Sequence, residues 1–222
     1  MIIFDQQTID EKNPIVFVHI PKTGGQTMWD LLGRQKERIH VWHNKYFKVL
    51  NEPARYITIL RDPVDRVIST YYYIRSYERD PLNHPVSQMS LERFVAYMKD
   101  DGIENKRFKR KEDVRNIRYR TVNLATRYLS GGDPNDIQKA KENIANHFTF
   151  IGFTDLYNES LSFMEKEFNW DFSMVKKRNT TKNRASLNNI SQPLINTIKE
   201  LNEHDLDLYH STRTQFLDRL SY

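Results

Sequence analysis

The residues from Phe17 to Thr27 place a lysine, two threonines and a glycine pair directly after a short apolar run. Gly24 and Gly25 permit positive φ and close approach of the backbone to a ligand. If the run is a strand and the following residues open a helix, Thr23, Gly24, Gly25, Gln26 and Thr27 aim backbone N–H groups and a helix N-terminus at one point. Such a point stabilises an anion. Lys22 adds a mobile cation, and the hydroxyls of Thr23 and Thr27 add donors. The order G-x-x-x-x-G-K-[ST] is absent, because the lysine precedes the glycines. No magnesium ligand presents itself, which weakens the case for a metal-dependent NTPase. A second group lies in Tyr56–Tyr73. Arg61 follows an apolar run, and Ser69 comes eight residues later, close enough to share one phosphate with it. Asp65 and Arg66 read as salt-bridging residues on a helix, and Tyr71, Tyr72 and Tyr73 as packing residues.

These groups need strands and helices to position them. Ile15–Ile20 is apolar and β-branched between two prolines, the pattern of a strand buried on both faces. Ile39–His43 and Tyr56–Leu60 read as further strands. Asp62 and Pro63 form an N-cap and first-turn pair that launches a helix to about Tyr77. Helices are expected over Ser90–Lys99, Tyr119–Leu129, from an Asp133 cap to about Asn146, and over Tyr157–Phe168, Gln192–Leu201 and Asp205–Leu220. Phe148–Phe153 is the last strand. This alternation predicts an α/β fold: a single domain over residues 1–222 with a central parallel sheet flanked by helices.

Composition bounds the rest. The 222 residues are 38% hydrophobic and 28% charged, which excludes collagenous and wholly disordered chains. No run approaches the length of a membrane-spanning helix. The first residues lack the basic and apolar regions of a secretory signal. Cysteine is absent, which removes disulfides and thiolate chemistry and favours a reducing compartment. The net charge of +5 is uneven. Residues 104–120 hold eight basic and three acidic side chains, and residues 175–184 hold five basic and none acidic. Two basic segments on a mildly acidic body suggest localised anion binding.

The two motifs together resemble the carbohydrate sulfotransferases. Pro21-Lys-Thr-Gly-Gly-Gln-Thr27 is similar to their 5′-phosphosulfate loop. Arg61-Asp-Pro-x-x-Arg-x-x-Ser-x-Tyr-Tyr-Tyr73 is similar to their 3′-phosphate segment. The resemblance lies nearest the branch of heparan sulfate 2-O-sulfotransferase and shorter bacterial relatives. It extends more weakly through Asn123–Ser130 and Phe148–Thr154. Gln26 departs from the family's usual Ser or Thr, but its amide can still donate.

The resemblance implies a P-loop NTPase-like sulfotransferase fold. It also implies sulfuryl transfer from 3′-phosphoadenosine 5′-phosphosulfate (PAPS) to an alcohol, with PAP as product and no metal required. Lys22 would contact the bridging or leaving oxygen, and Thr23–Thr27 would hold the 5′-phosphate. Arg61 and Ser69 would hold the 3′-phosphate, and Lys177, Arg178 and Lys182 would close over the nucleotide. A sugar hydroxyl needs a general base, and histidine suits that task near neutral pH. His43 lies 18 residues before Arg61 and His40 lies 21 before it, so spacing leaves both open. His43-Asn-Lys-Tyr-Phe47 better matches the family's His-x-x-aromatic run and favours His43. His19 reads as a core histidine. Lys111, Arg118 and Arg120, in the first basic segment, would meet an anionic glycan acceptor; a small alcohol is the other acceptor class. Two alternatives were weighed: a P-loop-like nucleoside or small-molecule kinase, and a non-enzymatic module binding nucleic acid or other anions. The second leaves Lys22 and Arg61 without a purpose, so no nucleic-acid partner is expected. The expected location is the cytoplasm of a microbe, unless an N-terminal membrane anchor has been removed.

Overall fold

In the computed structural model, which describes residues 1–100, 110–172 and 189–220, five parallel strands form one sheet. The strands are β1 (Ile2–Phe4), β2 (Ile15–Val18), β3 (Ile39–Trp42), β4 (Arg55–Leu60) and β5 (Phe148–Phe153), in the order β1-β3-β2-β4-β5. Every residue of β2 and β3 is buried, as a parallel strand covered on both faces requires. The chain leaves β2 for β3 on one side and then crosses to β4 on the other. The strand order therefore reverses at β2, and the crevice beyond the C-terminal ends of β2, β3 and β4 is the ligand position of open α/β sheets.

Ten helices flank the sheet among the described residues. The helix α1 (Gly25–Leu32) returns β2 to β3 and buries Met28, Leu31 and Leu32. The helix α2 (Pro63–Ser76) follows β4; the Asp62 carboxylate accepts from Asp65 N–H at 2.9 Å, and Pro63 occupies the first turn as expected. The helices α3 (Asn83–Ser87), α4 (Leu91–Met98), α5 (Asn116–Thr121), α6 (Leu124–Ser130) and α7 (Ile137–His147) make the long crossover to β5. The chain ends in α8 (Tyr157–Phe168), α9 (Gln192–Leu201) and α10 (Glu203–Leu220). The sheet carries one core, which includes Phe17, Trp42, Ile57 and Phe150. A second core, with no strand residue among its buried members, joins Val67, Ile68 and Ile74 of α2 to Phe94 of α4 and Ile198 of α9.

The expected α/β class holds, with three local differences. The edge strand β1 and the short α3 were not expected; three residues give too little periodicity to read. The helix expected over Tyr119–Leu129 is two, because Asn123 takes φ 43 and breaks it between α5 and α6. The break is held: Asn123 N–H donates to Asn202 Oδ1 at 2.9 Å, and Asp205 accepts from Thr126 N–H at 2.8 Å. The cap of α7 is Asp136 rather than Asp133, which instead accepts from Asn135 N–H in a turn.

Candidate active site

The turn after β2 is fixed by its own hydroxyl. Thr23 Oγ1 donates to Ile20 O at 2.8 Å, and the side chain is buried. In this structure that proton is engaged within the turn. Lys22 and Gly24 both have positive φ, 71° and 84°, which folds the backbone back into α1. Gly24 is exposed, and a Cβ there would only graze Tyr157 and Thr154 at 3.8 and 4.0 Å. Gly25 is buried, and a Cβ there would fall 2.0 Å from His19 Nε2. The first glycine serves the turn and the second leaves room for a histidine ring. The first turn of α1 carries no acidic side chain, so its amides and dipole favour an anion. The exposed cradle fits a phosphate or phosphosulfate end.

Lys22 and Arg61 flank this cradle. The Lys22 ammonium lies 3.8 Å from the centre of the Tyr73 ring. Arg61 closes β4 and donates from Nη1 to the Lys22 carbonyl at 2.9 Å, which ties the two motifs together. Its Nε donates to Asp65 Oδ2 at 2.6 Å. Burial lowers Arg61 to about 10, so it remains cationic at neutral pH. Ser69 is buried on α2. Arg66 is fully buried, donates to the Arg120 and Thr121 carbonyls, and faces Asp205 at 3.7 Å. Asp65 and Arg66 thus both make the salt bridges expected of them, with Arg61 and Asp205.

His43 follows β3 at the same end of the sheet. Its Nδ1 lies 2.7 Å from His19 Nδ1. Its backbone N–H donates to Asp5 Oδ1 at 2.8 Å, and its carbonyl accepts from Tyr128 OH at 3.3 Å. Burial lowers the His43 pKa, opposed by the Asp5 charge. His40, the other candidate base, lies at the opposite end of β3. It is buried, pairs in register with Val16, and has Nε2 3.1 Å from Glu11 Oε2. Of the two histidines, only His43 joins Lys22 and Arg61 at the strand ends.

The residues expected to meet an acceptor lie on or before α5. Arg120 makes a bidentate pair with Asp80 at 2.8 and 2.7 Å, and Arg118 donates to Met98 O at 2.7 Å. Both guanidinium groups hold α5 to its neighbours. Lys111 is exposed. Lys177, Arg178 and Lys182 lie outside the described residues. Sequence reasoning missed Asp5, Tyr73 and the pairing of His19 with His43. Asp5 follows a strand too short to read, whereas His19 falls inside the expected strand Ile15–Ile20 and reads as core, although β2 ends at Val18.

The site thus sets a glycine turn at a helix N-terminus, two cations and a histidine in the crevice of a parallel α/β sheet. The family profile of the sulfotransferases matches residues 5–210, and the chain belongs to that sulfotransferase family. Heparan-sulfate 6-O-sulfotransferase 2 of Homo sapiens is 29% identical over 185 residues, covering 75% of this chain and 30% of the relative; the Mus musculus protein matches equally. The uronyl 2-sulfotransferase homolog pip of Drosophila melanogaster is 38% identical over 85 residues, 34% of this chain and 16% of the relative. The chain spans about 30% of the length of the heparan-sulfate relatives. These similarities do not single out the 2-O branch. Among the described residues, no helix is long and apolar enough to cross a membrane.

Proposed function

We propose that the chain transfers a sulfuryl group from PAPS to a hydroxyl of a glycan, with His43 as the general base. One observation carries the reading: the Lys22 loop, Arg61 and His43 lie together at the C-terminal ends of three adjacent strands, joined by the 2.9 Å bond from Arg61 to the Lys22 carbonyl. The names of the relatives, which act on heparan sulfate and uronyl residues, support a glycan acceptor.

The donor supplies an activated sulfuryl group on a good leaving phosphate. The amides from Gly24 to Thr27 hold its 5′ end. Lys22, whose ammonium lies over the Tyr73 ring, neutralises charge on the leaving oxygen. Arg61 and Ser69 recognise the 3′-phosphate. His43 Nε2 takes the proton of the acceptor hydroxyl as that oxygen attacks; its depressed pKa keeps it unprotonated and ready near neutral pH. Fixed cations and amides stabilise the charge-rich transition state without reorganising.

Calorimetry with PAP tests the cradle. Lys22→Ala and Arg61→Ala should each weaken binding by about tenfold or more, the loss of a charge-assisted contact. If both variants bind PAP as the parent does, the assigned cradle is wrong.

A further inference from the structure

We propose that His19 is a positioning residue for His43: its Nδ1 accepts the His43 Nδ1–H and so fixes the tautomer in which His43 Nε2 carries the lone pair. The proposal rests on the reading of His43 as the base.

Four observations build the pair. The two Nδ1 atoms are 2.7 Å apart, which requires one proton between them. The Trp29 ring meets both imidazoles edge-on, with centroids 5.0 and 5.1 Å away. Gly25 is the residue that makes space for the His19 ring, since a Cβ there would lie 2.0 Å from Nε2. The His43 backbone is held on both sides, by Asp5 and Tyr128. His43 is therefore fixed in ring and in main chain, while His19 is buried and its Nε2 has no hydrogen-bond partner among the described residues.

The proton between the rings has two assignments. If His19 donates, His43 Nδ1 is the acceptor, its Nε2 bears hydrogen, and the ring cannot take a proton there. If His43 donates, its Nε2 is free to do so. Once His43 has taken the acceptor's proton, both of its nitrogens carry hydrogen, and His19 Nδ1 must accept. Only the second assignment runs through the whole transfer without moving a proton between the rings. His19 keeps its single proton on Nε2 throughout. Burial, with the nearby His43 and Lys22 charges, lowers His19 to about 3, so it stays neutral while His43 changes charge. The groups facing the pair are Asp5 and Lys22.

The test compares His19→Asn with His19→Leu. These side chains are nearly isosteric, so loss of the imidazole packing is common to both, but only Asn offers an acceptor. Nitrogen-15 NMR of the histidines, without substrate, should show the Nδ1–H tautomer of His43 in the parent and in His19→Asn. His19→Leu should move it toward Nε2–H. With PAPS and a glycan acceptor, His19→Leu should lower kcat by about tenfold or more, with KM for PAPS unchanged, and His19→Asn should restore most of it. An Nε2–H tautomer in the parent overturns the proposal whatever the activity. So does a tautomer that is the same in all three proteins. Failure of the transferase reading shows separately, as absence of transfer by the parent.

Discussion

At the strand ends, Lys22 rests on an aromatic face and Arg61 on a carbonyl and one partly exposed carboxylate. In the helical wing of α2 to α6, Arg120 is clamped by both oxygens of Asp80, and Arg66 is fully buried between two carbonyls and Asp205. The first set lies at the crevice beyond the strand ends, where open α/β sheets take their ligands. The second satisfies charges that burial would otherwise penalise, and leaves them committed to the fold. Basic residues are denser in the wing sequence, yet the pair proposed to meet the anion is Lys22 and Arg61, spaced 39 residues apart and joined at the strand ends. Charge density alone does not reveal which cations reach the strand ends.

The largest expected effect separates the two ends of β3. His43→Ala should lower the transfer rate by about 10²-fold or more, the usual contribution of a general base. His40→Ala should stay within a few-fold of the parent, because His40 faces Glu11. Initial rates with PAPS and a glycan decide this; the reverse order would move the base to His40 and dissolve the contrast.

Next in size is the wing. Asp80→Ala removes both acceptors of Arg120 and the cap that receives Leu82 N–H at 2.9 Å. The expected loss is about 2 kcal/mol in denaturant unfolding, with PAP affinity unchanged. If PAP binding weakened in step with stability, the wing would belong to the cofactor site.

The fold was largely readable because β2, β4 and β5 are largely apolar runs, the expected first strand bounded by Pro21 and β4 by Arg61-Asp-Pro63, and Asp62-Pro63 announces α2. The cradle and Arg61 were readable for the same reason: each sits where a strand pattern stops. Tertiary pairing was not readable. Nothing in the spacing of Asp80 and Arg120, 40 residues apart, shows that one neutralises the other. His19 has the apolar neighbours of a core residue, and its second role depends on His43 arriving from a different strand. The αL residue Asn123 lies in a sequence with good helical periodicity, and its break is stabilised by Asn202 and Asp205 from the far end of the chain.

Acid stability gives a smaller separation. His19 titrates at about 3 in the folded chain against an ordinary value of 6.5, so the unfolded chain binds its proton first. The stability it contributes is complete above about pH 6.5 and is lost as pH falls from there toward about 3, at up to about 1.4 kcal/mol per pH unit. The lowered pKa of His43 adds a term of the same sign. Between pH 7 and pH 5 the parent should therefore lose more stability than His19→Asn in parallel denaturant titrations. Equal losses would mean that His19 is protonated as easily in the fold as outside it.

The smallest effect belongs to Glu11, which marks the start of β3 as structural. Burial pushes its carboxyl up, but hydrogen bonds from Arg38 at 2.7 Å and His40 at 3.1 Å hold it below its ordinary value. The stability it adds is present above pH 4.5 and fades as pH falls through the depressed value. Arg38 is 55% exposed, so water screens much of that pair. Glu11→Gln should cost less than about 1 kcal/mol and leave the transfer rate unchanged. A rate loss approaching that of His43→Ala, in a variant that still unfolds like the parent, would carry the active site along the whole of β3 and remove the distinction between its two histidines.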